Sequence, residues 1–132
     1  MTRPLPKPTP ETRPFWEGCA QGELRFQQCA DCGAVQLIPR ALCERCHSRE
    51  LAWKVSGRQG RLLSYTVVHR APVPAFKADV PYVIAIVHMD EGFRLMTQVK
   101  DGARQDLRVD QPVRIAFATV DGAALPQAEV LP

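Results

Sequence analysis

No apolar run in this 132-residue chain approaches the ~18 residues that a membrane-spanning helix requires. The opening segment, MTRPLPKPTPETRPFW, also lacks the apolar core of a secretory signal. Neither a membrane role nor export is expected, and the expectation is a cytoplasmic protein, where thiols stay reduced and disulfides are rare. Five cysteines, an odd number, fit poorly with a complete disulfide framework. Catalytic signatures are missing too: there is no Gly-x-Ser-x-Gly, no phosphate-binding glycine loop and no His-Glu-x-x-His. Aromatics are scarce at 7%, and Tyr65, Tyr82, Phe93 and Phe117 form no clustered platform for stacking bases. A net charge of +3 is well short of a strongly basic nucleic-acid-binding domain. A single-stranded nucleic-acid-binding module is therefore the alternative reading rather than the first.

What is present suits a globular chain: 45% hydrophobic and 23% charged residues, enough for one ordinary domain or two small modules sharing a core. Charge is unevenly spread. Arg25 to Lys77 holds nine Lys/Arg against three Asp/Glu, whereas Asp79 to Pro132 holds five against eight. A basic front half suits a phosphate-bearing ligand or an acidic partner, set against a merely solvated surface.

Four prolines in residues 1–10 read as an extended, flexible arm. Thr12 is positioned to cap a short helix, with Pro14 tolerated in its first turn. Phe15, Trp16, Cys19 and Ala20 fall on one face of that helix. ELRFQQC and AVQLIP predict a hairpin with Cys29 and Cys32 at its tip, and LAWKVS a third strand. Five further strands follow: GRLLSYTVVH, YVIAIVHM, FRLMTQV, PVRIAFATV and ALPQAEVL. In FRLMTQV, Phe93, Leu95, Thr97 and Val99 share a face. The proline-rich RAPVPAFKADVP separates the first two as a loop long enough to suspect of function. Five strands with no convincing helix among them suit a small Greek-key barrel of the OB type.

The cysteine segment is too small to fold without a staple. In CADCGAVQLIPRALCERC, Cys29, Cys32, Cys43 and Cys46 form two Cys-x-x-Cys pairs ten residues apart. Tetrahedral zinc wants four soft ligands, each such turn presents two, and two facing turns complete a closed structural site with no open position for substrate. Gly33 follows the first pair, where a turn needs positive φ. Iron in a rubredoxin-type site uses the same spacing, but His47 stands where a second glycine would strengthen that reading. Cys19, the fifth cysteine, reads as a small apolar residue on the inner helix face. As a nucleophile it would need a base such as His69 or His88.

PFWEGCAQGELRFQQCADCG, PRALCERC and GRLLSYTVVHRAPVPAFKADVPYVIAIVHMDEGFRLMTQV together closely resemble one family. It comprises the bacterial and archaeal zinc-ribbon/OB-fold proteins associated with acyl-CoA metabolism, first catalogued as a domain of unknown function. The resemblance spans roughly Pro14 to Val99. It implies a mainly β chain: an arm and short helix over 1–23, a rubredoxin-like zinc ribbon over 24–56 and a five-stranded OB-fold barrel over 57–132. It further implies a non-catalytic accessory subunit, without activity alone, that works beside a thiolase-like enzyme, acyltransferase, aldolase or hydratase. One structural Zn2+ falls to Cys29, Cys32, Cys43 and Cys46. An acyl-CoA contact falls to the loop after His69, with Arg70 and Lys77 for phosphates and Phe76 and Tyr82 for the pantetheine or acyl path. Phe15 and Trp16 are the implied docking residues. The family's common glycine just before the strand opened by VDQPV is missing.

Overall fold

The computed structural model of the chain describes residues 5–131; residues 1–4 of the expected arm, and residue 132, lie outside it. One short helix, α1 (Arg13–Ala20), precedes three strands, β1 (Arg25–Cys29), β2 (Val35–Gln36) and β3 (Leu51–Val55). Five more follow: β4 (Gln59–Val68), β5 (Tyr82–Met89), β6 (Arg94–Val99), β7 (Pro112–Val120) and β8 (Ala123–Val130). No helix among the described residues is long and apolar enough to cross a membrane.

Thr12 precedes α1 as expected, but its side chain does not cap the helix. Its Oγ1 instead accepts the Thr9 N–H at 2.8 Å, because the chain already turns over Thr9 to Thr12 and Thr12 is itself in helical geometry. The buried face is also displaced from the expected one: Phe15, Gly18 and Cys19 are inside, while Ala20 is exposed. The Arg25 stem lies across Gly18, where a Cβ would stand 2.8 Å from Arg25 Cδ. Its guanidinium donates to the Pro14 carbonyl and to Gln21 Oε1.

β1 lies between β2 and β3 in an antiparallel sheet, with Gln27 opposite Gln36 on one side and Trp53 on the other. The remaining strands close a barrel in the order β4-β5-β6-β8-β7, with β7 returning to β4. Every pairing is antiparallel except β6 with β8, the Greek-key arrangement of an OB barrel. Alternation on β5 and β6 sends Val83, Ala85, Val87, Met89, Leu95 and Val99 inward. A bulge between Leu62 and Ser64 interrupts β4, which pairs with β5 on both sides of it and with β7 only through Gln59, Gly60 and Arg61.

In the polar segment between β6 and β7, Leu107 is buried, and Gly102 packs so closely on Val83 and Val99 that a Cβ would stand 2.7 Å from Val83 Cβ. Asp110 supplies the left-handed residue for which a glycine was missing, at φ 68°, and its N–H donates to the Leu62 carbonyl at 2.7 Å. Aspartate tolerates that conformation better than most side chains do.

One apolar core spans both sheets: Phe15, Cys19, Leu24 and Phe26 belong to the same cluster as Leu62, Val87, Phe93 and Ile115. Phe26 stacks on Phe93 with ring centroids 4.8 Å apart. At the joint, Glu91 accepts hydrogen bonds from Ser56 Oγ and the Gly57 N–H, each at 2.8 Å.

Candidate functional site

The β1–β2 hairpin carries Cys29 and Cys32 at its turn, and the segment leading to β3 folds Cys43 and Cys46 against them. The two turns are built alike. The Gly33 N–H donates to the Cys29 carbonyl at 2.9 Å, and the His47 N–H to the Cys43 carbonyl at 2.9 Å. Gly33 sits at φ 77° and His47 at φ 64°, so His47 contributes its backbone to the second turn in the place glycine holds in the first. The Ala30 N–H, donating to the Glu50 carbonyl, and the Ser48 hydroxyl, donating to Asp31, tie the halves together, while the Cys43 N–H donates to the Ser48 carbonyl within the second turn.

The four sulfurs lie within 4.8 Å of one another, with Cys29 to Cys46 and Cys32 to Cys43 each at 3.6 Å. A tetrahedron with metal–sulfur bonds of ~2.3 Å has edges of about 3.8 Å, so the arrangement fits a single four-thiolate ion. Amide donors already favour the thiolate form on the inner pair. The Cys32 and Asp31 amides lower the Cys29 thiol, and those of Cys46 and Arg45 hold Cys43 at about 7. At Cys46 the Ser48 amide pulls down, but desolvation and the bonds to Cys29, Cys32 and Cys43 prevail and push it to about 12. A bound cation reverses that balance, since thiols deprotonate outright on coordination.

A pair of buried glutamines, which hydrophobic patterning passed over, frames the second turn. Gln36 Nε2 donates to Gln27 Oε1 at 2.8 Å. Gln27 also accepts the Arg40 N–H and donates to the Arg40 carbonyl, while Gln36 accepts the Glu44 N–H beside Cys43. The available signal was two polar residues at facing inward positions of a hairpin. Replacing Gln27 with alanine leaves the buried Gln36 amide and two part-buried Arg40 backbone groups short of a partner. Gln27→Ala is expected to lower stability by about 1–3 kcal/mol and speed metal loss to a chelator. Urea denaturation and a chelator-competition assay check both outcomes.

A groove of about 1090 Å³ crosses the outer face of β5 and β6, bounded by Trp16 of α1, the loop preceding β5, and Leu125 near the start of β8. Leu5, Ile84 and Met96 contribute apolar surface. Phe76 and Tyr82 both line it, with ring centroids 6.0 Å apart, whereas Arg70 and Lys77 are exposed on the same loop and outside the lining. Phe15 also reaches the groove wall but is buried and meets Trp16 edge-to-face at 4.9 Å. Of the two aromatics, Trp16 is therefore the one left near a surface. Cys19 is fully buried, and desolvation raises its thiol to about 11, which keeps it protonated and unreactive. Among the strand aromatics, Phe93 is in the core, Tyr82 is buried, Phe117 lies beneath Arg58 and only Tyr65 is exposed. Among the described residues these four aromatics do not share one exposed face.

Residues 16–52 match the rubredoxin-like zinc ribbon domain of ChsH2, and residues 53–118 match the ChsH2 C-terminal OB-fold domain. A DUF35 domain-containing scaffold protein of Methanothermobacter thermautotrophicus is 34% identical over 115 residues, covering 83% of this chain and 84% of that protein. The chain belongs to the DUF35 family. This DUF35 chain is also 31% identical over 119 residues to a probable enoyl-CoA hydratase alpha subunit of Thermomonospora curvata, covering 90% of itself but 37% of that subunit. It thus spans little more than a third of that longer relative. Among solved structures, the Ltp2-ChsH2(DUF35) aldolase contains a chain that superposes with a TM-score of 0.83 at 29% identity, covering 96% of this chain and 98% of that one. A DUF35 protein from Sulfolobus solfataricus shares the fold with a TM-score of 0.65 at 15% identity. Four cysteines this close together in a zinc-ribbon domain support a structural zinc.

Proposed function

We propose that this DUF35 chain is a non-catalytic scaffold subunit of an enzyme acting on acyl-CoA thioesters, of aldolase, hydratase or thiolase-like type. In this reading Cys29, Cys32, Cys43 and Cys46 hold one zinc that is structural and chemically silent. The divisions at 1–23, 24–56 and 57–132 are kept as arm with helix, ribbon and barrel. The observation that carries the reading is the near end-to-end match to the DUF35 chain of an aldolase assembly. The groove adds support. In the barrel, β5 and β6 are the second and third strands, the face on which OB folds take ligands, and the loop between the first two strands forms one wall. Phe76 and Tyr82 would line the apolar path of a thioester there, Arg70 and Lys77 would meet phosphates from outside the groove, and Trp16 would face the partner.

Co-expression with an acyl-CoA enzyme encoded beside it in its genome is the test. A stable complex is expected, with activity lost when this chain is omitted. Full activity of the enzyme alone would defeat the proposal.

A further inference from the structure

Apart from prolines, Leu5 is the only apolar residue between 5 and 12, and it is half-buried while residues 6–11 are all exposed. Its cover comes from the groove, whose lining it shares with Trp16, Leu37, Phe76 and Tyr82. No polar contact holds it there. Residues 5–8 form no hydrogen bond or ion pair among the described residues, and Pro6 and Pro8 have no N–H to offer. Further along, the chain is fixed: the Thr9 N–H donates to Thr12 Oγ1 at 2.8 Å, and the Arg13 N–H to the Thr9 carbonyl at 2.8 Å. The hydroxyl that does not cap α1 thus closes the base of the arm. Pro6 and Pro8 favour an extended chain of about 3.1 Å per residue, which allows Leu5 a reach of up to roughly 12 Å from Thr9.

We propose that Leu5 is a displaceable strap: the arm fills part of the groove, and an apolar ligand enters by pushing Leu5 out. The inference rests on the reading of the groove as a thioester's apolar path and adds how entry to that path is controlled. Displacement follows from how the two sides are held. A segment without backbone hydrogen bonds and with one half-buried anchor opens at far lower cost than a packed core. The wall has no such weakness, since Tyr82 and Ile84 lie on β5, Thr97 and Gln98 on β6, and these strands are paired along their length. The arm therefore moves while the wall stays. Leucine also presents the chemistry of an acyl chain, so the two compete for the same aromatic surface. A proline-stiffened chain has little conformational freedom to lose on docking, which lets a single leucine hold it when no ligand is bound.

The test uses the zinc-loaded full chain with its leucine methyls 13C-labelled. The Leu5 signals, assigned by their loss in Leu5→Ala, are expected to be shifted by the ring currents of the aromatic wall. Adding octanoyl-CoA should return them toward the position of a free leucine. A closed strap lowers apparent affinity by the fraction of chain that is open, so Leu5→Ala should bind octanoyl-CoA at least about threefold more tightly than wild type. Leu5→Met keeps an apolar side chain of similar volume and should stay within about twofold of wild type. N-phenyl-1-naphthylamine, a neutral apolar fluorophore, should bind the three proteins in the same order. Leu5 methyls that stay in place at saturation overturn the proposal. Weaker binding by Leu5→Ala overturns it as well, in favour of Leu5 as a fixed part of the wall. Octanoyl-CoA bound equally by wild type and Leu5→Ala sinks the strap and leaves the thioester reading of the groove standing. Naphthylamine binding in the expected order, with octanoyl-CoA bound by neither protein, upholds the strap and removes the thioester reading.

Discussion

Stripping the metal, or replacing Cys43 with serine, is expected to unfold the ribbon and take much of the barrel's stability with it. Structural zinc supplies apparent binding energies on the order of 10–16 kcal/mol in small ribbon-like modules. That is as large as the whole stability of an ordinary domain, about 5–15 kcal/mol. The ribbon has little else to hold it. β2 is two residues long, and most of the segment joining it to β3 is exposed, with Cys43 the buried exception. Loss should propagate because Leu24 and Phe26 belong to the barrel's own core cluster. The purified chain should be colourless and hold one zinc per chain. Chelation or Cys43→Ser should abolish metal binding and shift the thermal transition sharply downward. Cys19→Ser, which alters the buried thiol outside the cluster, should leave zinc stoichiometry at one. A metal-free chain that melts at the same temperature would contradict this account, and a red protein would reassign the metal to iron.

Phe26→Ala is expected to destabilise the chain by about 3–5 kcal/mol without altering zinc content, and Phe93→Ala by a similar amount. Phe26 is 4% exposed and Phe93 3%, and the two rings stack across the boundary between the ribbon and the barrel. Neither sheet can relax into the space left by the missing ring, because each is held by its own ladder. The double variant should lose less than the sum of the singles, the shortfall of about 0.5–1.5 kcal/mol reporting the contact between the rings. Urea unfolding should remain a single transition. Trp53 on β3 and Trp16 on α1 both pack against the shared cluster and so report the same event. Two separate transitions in the wild-type chain would show two independent modules and refute the shared core.

Local pattern carried much of this protein. Cysteine spacing predicted the four-sulfur cluster because a Cys-x-x-Cys turn is closed within a few residues. The alternation of Phe93, Leu95, Thr97 and Val99 predicted their common buried face because side chains on a strand must alternate. Order of motifs, rather than composition, marked the family. Features that depend on groups distant in sequence stayed hidden. Thr12 offered a cap whose hydroxyl the preceding turn engages instead, and Ala20 held an apolar helix position that docking left exposed while Gly18 was covered by the Arg25 stem. Gln27 and Gln36 carried no signal in the hydrophobic pattern until register placed them face to face. The parallel pairing of β6 with β8, and with it barrel closure, depends on contacts such as the Lys100 N–H to the Ala128 carbonyl. Sequence by itself thus determined the element types, the inward faces and the sulfur cluster, each set by chemistry within a few residues. Only the tertiary structure decided what the ribbon shares with the barrel and which buried polar groups meet, because strand register is settled by packing over the whole core.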